Sequence, residues 1–526
     1  MNRLYKGLLL LVLMLALVFG LCACKEEAPE QQAPEQQQFS SAWTSDEEYH
    51  WHEATGENAG EKYELTRHIW GSLVDNKNGT ATYTCKVCKK KVTRNLPSVI
   101  SMVNTGPGED ASKGVVISWH STSEGSLLEY KKTEAESWTV VSNSDCNETP
   151  STADWKTTKG AALDASHYRC KVYLNDLSPD STYNYRIKDS SGNYSEVAFF
   201  KTAKADTTTF QFMWLSDNHV PKGGEKTLER VSDLIAYAQS KDDVDIDFVL
   251  FSGDMVNKGQ IYEHWNYWSD SGLLGNMTYA FVAGNHDYYG WNNSNRTTND
   301  YYKEFAAYPA NNTAGDKSVL DSNYWFIWNR VLFVCIDSMT EEGQATGNLS
   351  GASLSDQKAW FKAVCDANKG KYDYLIYAQH YPWFHKDTYV SSDDYGNYAG
   401  WRKLFDTYKV DFALSSDEHT YRRTYALYNN KNPNYDNSSN PTVEKAEMKD
   451  GKVSKGTVYV VSNLTQGSSV SSLKNTAASN LNHVQYTAEG VGGVYFTVTP
   501  TEMTLHLIGS GGREFDTITV LKKDRN

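Results

Sequence analysis

The sequence predicts a multidomain protein: an α/β domain over residues 208–523, an all-β sandwich over 98–203, and a small segment before them. From Thr208 onward, strand-like apolar runs alternate with amphipathic helical stretches, as in sheets with right-handed crossovers. Residues 98–203 carry short runs separated by turn residues, which is typical of a sandwich. Five of the later runs end in a cluster of Asp, Asn or His residues, and this predicts a binding site at the carboxyl ends of strands.

Length and charge limit the function classes. The chain has 526 residues, enough for two or three domains with separate cores. Its formal net charge of −14 argues against nucleic acid as a partner, because phosphate backbones need clustered Lys and Arg. No feature of the sequence specifies an oligomeric state.

The N-terminus indicates export. A positively charged start precedes the apolar stretch Leu8–Leu21, which is too short to span a bilayer comfortably. It ends in Leu-Cys-Ala-Cys, which resembles the lipobox of bacterial lipoproteins. The resemblance implies a signal peptide over residues 1–23, acylation of Cys24 and anchorage to the outer face of the cell membrane. Residues 24–48 contain few core-forming side chains and predict a flexible tether. An ordinary cleaved signal peptide is the alternative.

Residues 49–97 suggest a structural metal. The pair Cys85-x-x-Cys88 and two distant imidazoles suit a tetrahedral Zn²⁺ ion, and a segment this small has little core of its own. The segment resembles the short zinc ribbons of surface proteins from Gram-positive bacteria. We assign His52, His68, Cys85 and Cys88 to this site, although a third histidine, His50, competes for a place. A disulfide between the two cysteines is the alternative.

The central segment is expected to be a β-sandwich. Residues Leu177–Tyr185 contain a Pro-to-Tyr turn similar to the one in fibronectin-type-III-like sandwiches. In the α/β domain, helices are expected over Thr227–Gln239 and Leu354–Ala367. Three further strands after Thr457 are expected to extend a second sheet of the same domain.

The strand-end clusters carry the chemistry. The clusters are Asp217 and His219 after Phe210–Ser216, Asp254 after Asp247–Gly253, Asn285 to Asp287 after Tyr279–Gly284, His380 after Tyr374–Gln379, and Asp417 and His419 after Val410–Ser416. Seven oxygen and nitrogen side chains at one edge are enough for two divalent cations. Gly253 and Gly284 are expected to let the backbone turn sharply into the site.

Hydrolysis of a phosphate ester needs a set of side chains that can bind two cations. Two cations roughly 3.5–4 Å apart neutralise the phosphoryl oxygens and provide a hydroxide at neutral pH. An imidazolium next to the leaving oxygen supplies the proton that this poor leaving group requires.

The order of these clusters resembles that of the calcineurin-like metallophosphoesterase superfamily. With the sandwich before it, the chain is most similar to purple-acid-phosphatase-type members. The resemblance implies a four-layer α/β/β/α domain and a metal pair. The implied ligands are Asp217, His219 and His419 for the first metal, Asp254 for both, and Asn285, His380 and Asp417 for the second. His286 would lie just outside the metal shell as the catalytic group.

The implied function is that of a cell-surface dinuclear metal-dependent phosphohydrolase acting on a small phosphorylated substrate. A metal-bridging hydroxide would attack the ester, His286 would assist the leaving group, and phosphomonoesters are slightly favoured over diesters. The alternative is a non-catalytic surface binding protein with a degenerate phosphoesterase domain, suggested by Asp417 and by the 35 tyrosines and 15 tryptophans.

Two positions depart from the family pattern. Asp417 stands where the family usually has the first His of Gly-His-x-His. A carboxylate there favours Mn²⁺, Mg²⁺ or Fe over Zn²⁺ at the second position, or else the second site is weakened. Asn257 stands where purple acid phosphatases place a Tyr ligand to Fe³⁺, so no charge-transfer colour is expected. The pattern leaves Mn, Fe, Zn and Mg open as the metals.

Overall fold

The protein is described here from a computed structural model. It describes residues 39–525 except for 57–58, 72–73, 76–79, 96–99, 123, 164–166, 191, 206–208, 222–225, 276, 293–297, 312–321, 340–350, 384–398, 429–443, 446–447, 463–481, 487–491 and 510–511. The predicted signal peptide over 1–23, the predicted acylation at Cys24 and most of the predicted tether lie outside the described residues. Among the described residues, no helix has the length and apolar character needed to cross a bilayer.

The chain divides into two compact units, with the boundary between His68 and Ile69. The described part of the first unit is an antiparallel sheet. Its strands are β1 (Phe39–Ser45), β2 (Tyr49–Ala54) and β3 (Lys62–Arg67). Strand β1 lies within the range that the sequence predicted to be a flexible tether. Its backbone nevertheless pairs with that of β2, and the ring of Phe39 stacks on that of Tyr63 with centroids 3.8 Å apart. The structured part therefore begins earlier than the low apolar content indicated.

The second unit begins with a small three-stranded sheet and continues into a β-sandwich. The small sheet contains β4 (Val74–Asp75), β5 (Thr80–Thr84) and β6 (Lys91–Asn95). The sandwich strands are β7 (Ile100–Pro107), β8 (Val115–Ser121), β9 (Leu127–Lys132), β10 (Thr139–Val140), β11 (Thr149–Pro150), β12 (Tyr168–Leu174), β13 (Thr182–Lys188) and β14 (Ala198–Lys201). They form two four-stranded sheets around a core that includes Trp119 and Tyr185, as the all-β prediction requires.

The remainder of the second unit is an α/β domain with two eight-stranded sheets in its described part. The first sheet contains β15 (Phe210–Leu215), β16 (Ile246–Ser252), β17 (Thr278–Val282), β24 (Met448–Lys449), β25 (Lys452–Val453), β28 (Gly492–Val498), β29 (Glu502–Gly509) and β30 (Glu514–Leu521). The second contains β18 (Tyr324–Trp328), β19 (Val331–Cys335), β20 (Tyr374–Ala378), β21 (Phe412–Ser415), β22 (Tyr421–Tyr428), β23 (Glu444–Lys445), β26 (Thr457–Val461) and β27 (Asn482–Tyr486). The helices are α1 (Lys226–Gln239), α2 (Tyr262–Asp270), α3 (Asp300–Phe305), α4 (Gly351–Ala367) and α5 (Ala399–Tyr408).

The two large sheets pack face to face through aromatic side chains. Phe212 of the first sheet meets Phe333 of the second edge-on, with ring centroids 5.2 Å apart. Helix α1 packs on β16, β28 and β29, and Phe361 of α4 contacts Tyr377 on the outer face of the second sheet. The layers therefore follow the order helix, sheet, sheet, helix.

The five strands that precede the polar clusters are shared between the sheets. Strands β15, β16 and β17 are parallel neighbours in the first sheet, and β20 and β21 are parallel neighbours in the second. The late strands were predicted only in part. Strand β26 joins the second sheet, but β28 and β29 belong to the first, where β28 pairs antiparallel with β15. Apolar patterning specifies buried strands but does not specify which free edge each strand pairs with.

A buried ion pair joins the two sheets close to the last polar cluster. Arg423 on β22 donates from Nε and Nη2 to the carboxylate of Asp516 on β30, at 2.6 and 2.8 Å. The hydroxyl of Tyr421 donates to the same carboxylate at 2.7 Å. Burial alone would raise the pKa of Asp516, but the bond from Arg423 lowers it below its usual range. Both charges are therefore retained in the interior.

We predict that Asp516→Leu lowers the free energy of unfolding by about 3–5 kcal/mol, because it leaves the Arg423 guanidinium buried without its counter-ion. Urea unfolding followed by tryptophan fluorescence measures the change. Lys362→Ala is the control, since Lys362 and Asp366 form an exposed pair on α4, and the loss of this pair should change the free energy of unfolding far less. Equal losses in the two variants would contradict the structural role of the buried pair.

Candidate metal centre

Several residues of the polar clusters adopt the left-handed backbone conformation just after a strand ends. Among the predicted ligands, positive φ angles occur at Asp217 (55°), His219 (51°), Asp254 (54°), Asp417 (72°) and His419 (51°). The left-handed conformation costs an L-residue roughly 1–2 kcal/mol, so residues other than glycine seldom adopt it. Five such residues in one site indicate a strained backbone. Strain of this kind concentrates at functional sites, where the surrounding structure enforces a geometry that the backbone alone would not adopt.

Two glycines make this close packing possible, for different reasons. Gly253 has φ of +101°, and a Cβ there would lie 2.4 Å from Nδ1 of His380. Gly284 does not have a positive φ, but its Cβ would lie 2.2 Å from the backbone nitrogen of Asp254. The predicted sharp turn is thus present at Gly253, whereas Gly284 is required for space.

The two carboxylate oxygens of Asp254 face two different groups of side chains. Oδ2 lies 3.6 Å from Nε2 of His219, and Oδ1 lies 3.3 Å from Nε2 of His380. Asp254 is itself buried, and the backbone N–H of His286 donates to Oδ1 at 2.7 Å. Such an arrangement matches a carboxylate that bridges two cations.

The first group contains Asp217, His219 and His419. Oδ1 of Asp217 lies 3.8 Å from Nε2 of each histidine, and the two imidazole rings stack with centroids 5.1 Å apart. Ser216 donates to Oδ2 of Asp217, which leaves Oδ1 directed at the histidines. Among the described residues, Oδ1 of Asp217 and both ring nitrogens of His219 are buried without a hydrogen-bond partner. Buried polar atoms without partners are rare, and a metal ion would satisfy Oδ1 and Nε2 here.

The second group contains Asn285, His380 and Asp417. Nε2 of His380 lies 3.1 Å from Oδ1 of Asn285 and 3.7 Å from Oδ1 of Asp417. Nδ1 of His380 lies 2.8 Å from the carbonyl of Ser252 and donates to it, so Nε2 is the nitrogen with a lone pair for a ligand. Asp417, which replaces the histidine usual in the family, therefore still places an oxygen close to His380.

The charges in the two groups are unfavourable without a cation. Burial raises the pKa of Asp217 well above its usual range, although His380 opposes this effect. Burial would also raise the pKa of Asp254, but His380, His286 and His219 lower it below its usual range. Burial lowers the pKa of His219 well below its usual range, which keeps its ring neutral, as a metal ligand must be. Buried carboxylates beside the neutral imidazole of His219 are a donor set that suits divalent cations, so these residues fit the metal pair.

His286 lies next to these groups and remains partly open to solvent. Its Nδ1 lies 3.0 Å from the carbonyl of Asn257 and donates to it, and its Nε2 lies 4.0 Å from Oδ2 of Asp254. The side chain is 22% exposed, whereas Asp254 is 2% exposed. A hydrogen bond therefore holds the ring in place with Nε2 free to face a substrate.

Sequence analysis assigned no role to two residues of this centre, Asp287 and Tyr289. The buried carboxylate of Asp287 accepts the backbone N–H groups of Asp254 (3.0 Å), Val256 (3.2 Å) and Gly284 (2.8 Å), which joins two ligand loops. The hydroxyl of Tyr289 accepts the side-chain N–H of Asn285 at 2.7 Å, so Oδ1 of Asn285 faces His380. Asp287 was named as part of the third cluster without this role, and no pattern indicated Tyr289.

The N-terminal histidines differ from the expected pairing. In the first unit the buried rings of His50 and His68 lie 5.4 Å apart, whereas His52 contacts Trp43 at 3.8 Å and places Nδ1 3.2 Å from the carbonyl of Ala42. A register shift between His50 and His52 in the pairing of β2 with β3 accompanies this difference. His50 is therefore the histidine that the first unit pairs with His68.

Cys85 and Cys88 enclose a tight turn in the second unit. The backbone N–H of Lys89 donates to the carbonyl of Cys85 at 3.1 Å, and no disulfide joins the two cysteines in the structure. Burial raises the pKa of Cys88, as does the hydrogen bond with the thiol of Cys85. The structural zinc predicted from these cysteines and the N-terminal histidines stays a prediction.

Comparison with known proteins identifies two family models along the chain. The family model described as calcineurin-like phosphoesterase matches residues 210–421, and the model described as the N-terminal domain of purple acid phosphatase matches residues 101–202. Two proteins of Mycobacterium tuberculosis, the uncharacterized proteins MT2654 and Rv2577, are each 24% identical to this chain over 348 residues. Each alignment covers 61% of this chain and 61% of the relative, so the chain matches less than two thirds of either relative's length.

Solved structures share the fold. The purple acid phosphatase PPD1 from yellow lupin seeds superposes with a TM-score of 0.60 at 14% identity, covering 85% of this chain and 79% of that one. PhoD superposes with a TM-score of 0.50 at 12% identity, covering 82% of this chain and 96% of that one. The range that the calcineurin-like phosphoesterase model matches contains all seven predicted metal ligands. The chain therefore carries a domain of the calcineurin-like metallophosphoesterase family, preceded by a purple acid phosphatase N-terminal domain.

Proposed function

We propose that the protein is a metal-dependent phosphoester hydrolase that uses two cations held on either side of Asp254. The observation that carries this proposal is the division of that carboxylate, with Oδ2 at 3.6 Å from His219 and Oδ1 at 3.3 Å from His380. Asp217, His219 and His419 would hold the first cation, and Asn285, His380 and Asp417 the second. Cations there would neutralise charge on the phosphoryl oxygens and provide a hydroxide at neutral pH.

The side chains of the protein supply the remaining steps. Because Nδ1 of His286 donates to Asn257, a proton on Nε2 is directed at the space above Asp254 and can be given to the leaving oxygen. Asp287 holds the loops of Asp254 and Gly284 together and so fixes the distance between the two ligand groups. The exposed fractions of Asp417 (29%) and His419 (32%) indicate that substrate enters on their side.

The finer features of the proposal come from the sequence. The lipobox-like start supports anchorage at the outer face of the cell membrane through Cys24. The sandwich domain supports phosphomonoesters, slightly ahead of diesters, as substrates. Turnover of p-nitrophenyl phosphate and of its bis ester, with Mn²⁺ restored after chelation, tests both the activity and the preference. An absence of metal-dependent turnover with either ester and with nucleotides would contradict the hydrolase.

We predict that His286→Ala lowers kcat by about 10²-fold or more and leaves the metal content unchanged, because His286 donates a proton and does not hold a cation. Steady-state kinetics and elemental analysis measure the two quantities. His506→Ala, on β29 outside the clusters, should change neither. If His286→Ala leaves kcat unaltered, the protein does not use this group in turnover.

We predict that Tyr289→Phe weakens binding of the second cation by about 10–100-fold, because Asn285 loses the hydroxyl that orients its amide. Titration of chelated protein with Mn²⁺ measures both affinities, and the first should change little. The control is Tyr267→Phe on α2, where the side chain is 37% exposed. An equal loss at both metal positions would indicate general damage to the fold and not a role for Tyr289.

We predict that Asp417→His raises the ratio of kcat/KM with Zn²⁺ to kcat/KM with Mn²⁺, because a neutral nitrogen replaces an anionic oxygen at the second group. Asp417→Asn keeps an oxygen donor without the charge and should not favour zinc. An unchanged ratio in Asp417→His would show that residue 417 does not bind the cation.

A further inference from the structure

A buried hydrogen bond crosses between the two large sheets beside the metal centre. Tyr288 ends the 3₁₀ turn His286–Tyr288, which follows β17 of the first sheet. Its hydroxyl donates to Oδ2 of Asp337, which lies two residues beyond β19 of the second sheet. Both side chains are buried. The turn that carries His286 is therefore tied to the opposite sheet by a residue that is not a predicted metal ligand.

The carboxylate of Asp337 is itself held in place. Its Oδ2 also accepts from the hydroxyl of Ser322 at 2.5 Å, and its Oδ1 accepts the backbone N–H of Met339 at 2.9 Å. Burial raises the pKa of Asp337 to about 6, although the bonds from Ser322 and Tyr288 oppose this effect. The group is thus mostly ionised at neutral pH, where a carboxylate only accepts hydrogen bonds. Bonds to a charged acceptor are stronger than neutral ones, so the hydroxyl of Tyr288 is held firmly.

The same segment of the second sheet contacts the loop of a predicted metal ligand. Oγ of Ser338, the residue after Asp337, accepts the backbone N–H of Tyr381 at 3.1 Å. Tyr381 directly follows His380 in the chain. Two consecutive residues therefore bond to the His286 turn on one side and to the His380 loop on the other, which relates the positions of these two histidines.

The turn has little else in its own backbone to fix His286. The backbone N–H of Tyr288 donates to the carbonyl of Asn285 at 3.2 Å, and that of Tyr289 donates to the carbonyl of His286 at 3.1 Å. Bonds of a 3₁₀ turn have poorer geometry than those of an α-helix, so they restrain it weakly. A general acid must lie within hydrogen-bond reach of the oxygen that it protonates. A small rotation of this turn would move Nε2 of His286 out of that reach.

We propose that Asp337 is a positioning residue, which acts through Tyr288 to hold His286 in place relative to the second group of metal ligands. This inference rests on the proposed function, in which His286 gives a proton to the leaving oxygen. Loss of the bond between Tyr288 and Asp337 weakens that proton transfer and leaves the binding of substrate and cations intact. The effect on turnover therefore depends on how much the leaving group needs a proton.

Tyr288→Phe tests this role, because it removes only the hydroxyl that donates to Asp337. The two substrates are p-nitrophenyl phosphate, whose leaving phenolate needs little protonation, and glycerol 2-phosphate, whose leaving alkoxide needs a proton. The control is Tyr183→Phe on β13 of the sandwich, which removes a hydroxyl that accepts the backbone N–H of Ser178 at 2.9 Å. Elemental analysis and thermal unfolding of the metal-loaded full chain check that each variant keeps its cations and its fold.

We expect Tyr288→Phe to lower kcat by about tenfold or more with glycerol 2-phosphate and by less than about threefold with p-nitrophenyl phosphate. KM and metal content should change little, because neither Tyr288 nor Asp337 is expected to touch the substrate or a cation. Tyr183→Phe should match the wild type with both esters. An equal loss of kcat with the two esters, or a variant that behaves like Tyr183→Phe, would show that the inference is wrong.

The double variant His286→Ala/Tyr288→Phe shows whether Tyr288 acts through His286. It should turn over glycerol 2-phosphate no more slowly than His286→Ala, since the ring to be positioned is already absent. Losses that multiply in the double variant would contradict the inference. Asp337→Asn should lose less than Asp337→Ala, because its amide can still bond to the hydroxyl of Tyr288. An absence of metal-dependent turnover in the wild type would instead contradict the proposed hydrolase itself.

Discussion

The division of one buried carboxylate between two groups of ligands is the constraint on which the rest of the centre depends. Asp254 can face both His219 and His380 only if β15 and β16 of the first sheet and β20 of the second end within a few ångströms of each other. The face-to-face packing of the sheets meets this requirement, because it brings the ends of β16 and β20 together. The fold is therefore arranged around the distance between these two groups of side chains.

That distance is maintained by strained backbone and by supporting hydrogen bonds. The ligands in left-handed conformation would be unfavourable in isolation, and the surrounding sheets hold them in place. Asp287 connects the loop of Asp254 to that of Gly284, and the Arg423–Asp516 pair fixes the strand that follows His419. The stability of the fold thus holds a strained geometry with a donor set that suits cations.

The sequence predicted the ligands because each follows an apolar run, and strand ends of an open sheet converge on one edge. Their distribution over two sheets was not predicted, since burial patterns do not specify which strand edges pair. The contact of Tyr289 with Asn285 was missed because it spans the short 3₁₀ turn His286–Tyr288, where side-chain directions cannot be inferred from periodicity. Similarly, the sequence led us to assign His52 with His68, whereas the buried ring close to His68 is that of His50.

Anomalous diffraction from crystals of the Mn²⁺-loaded protein, collected at the manganese edge, tests the central claim most directly. The account predicts two peaks roughly 3.5–4 Å apart, one beside Oδ2 of Asp254 and His219, the other beside Oδ1 and His380. A single peak, or two peaks of which neither contacts Asp254, would contradict it.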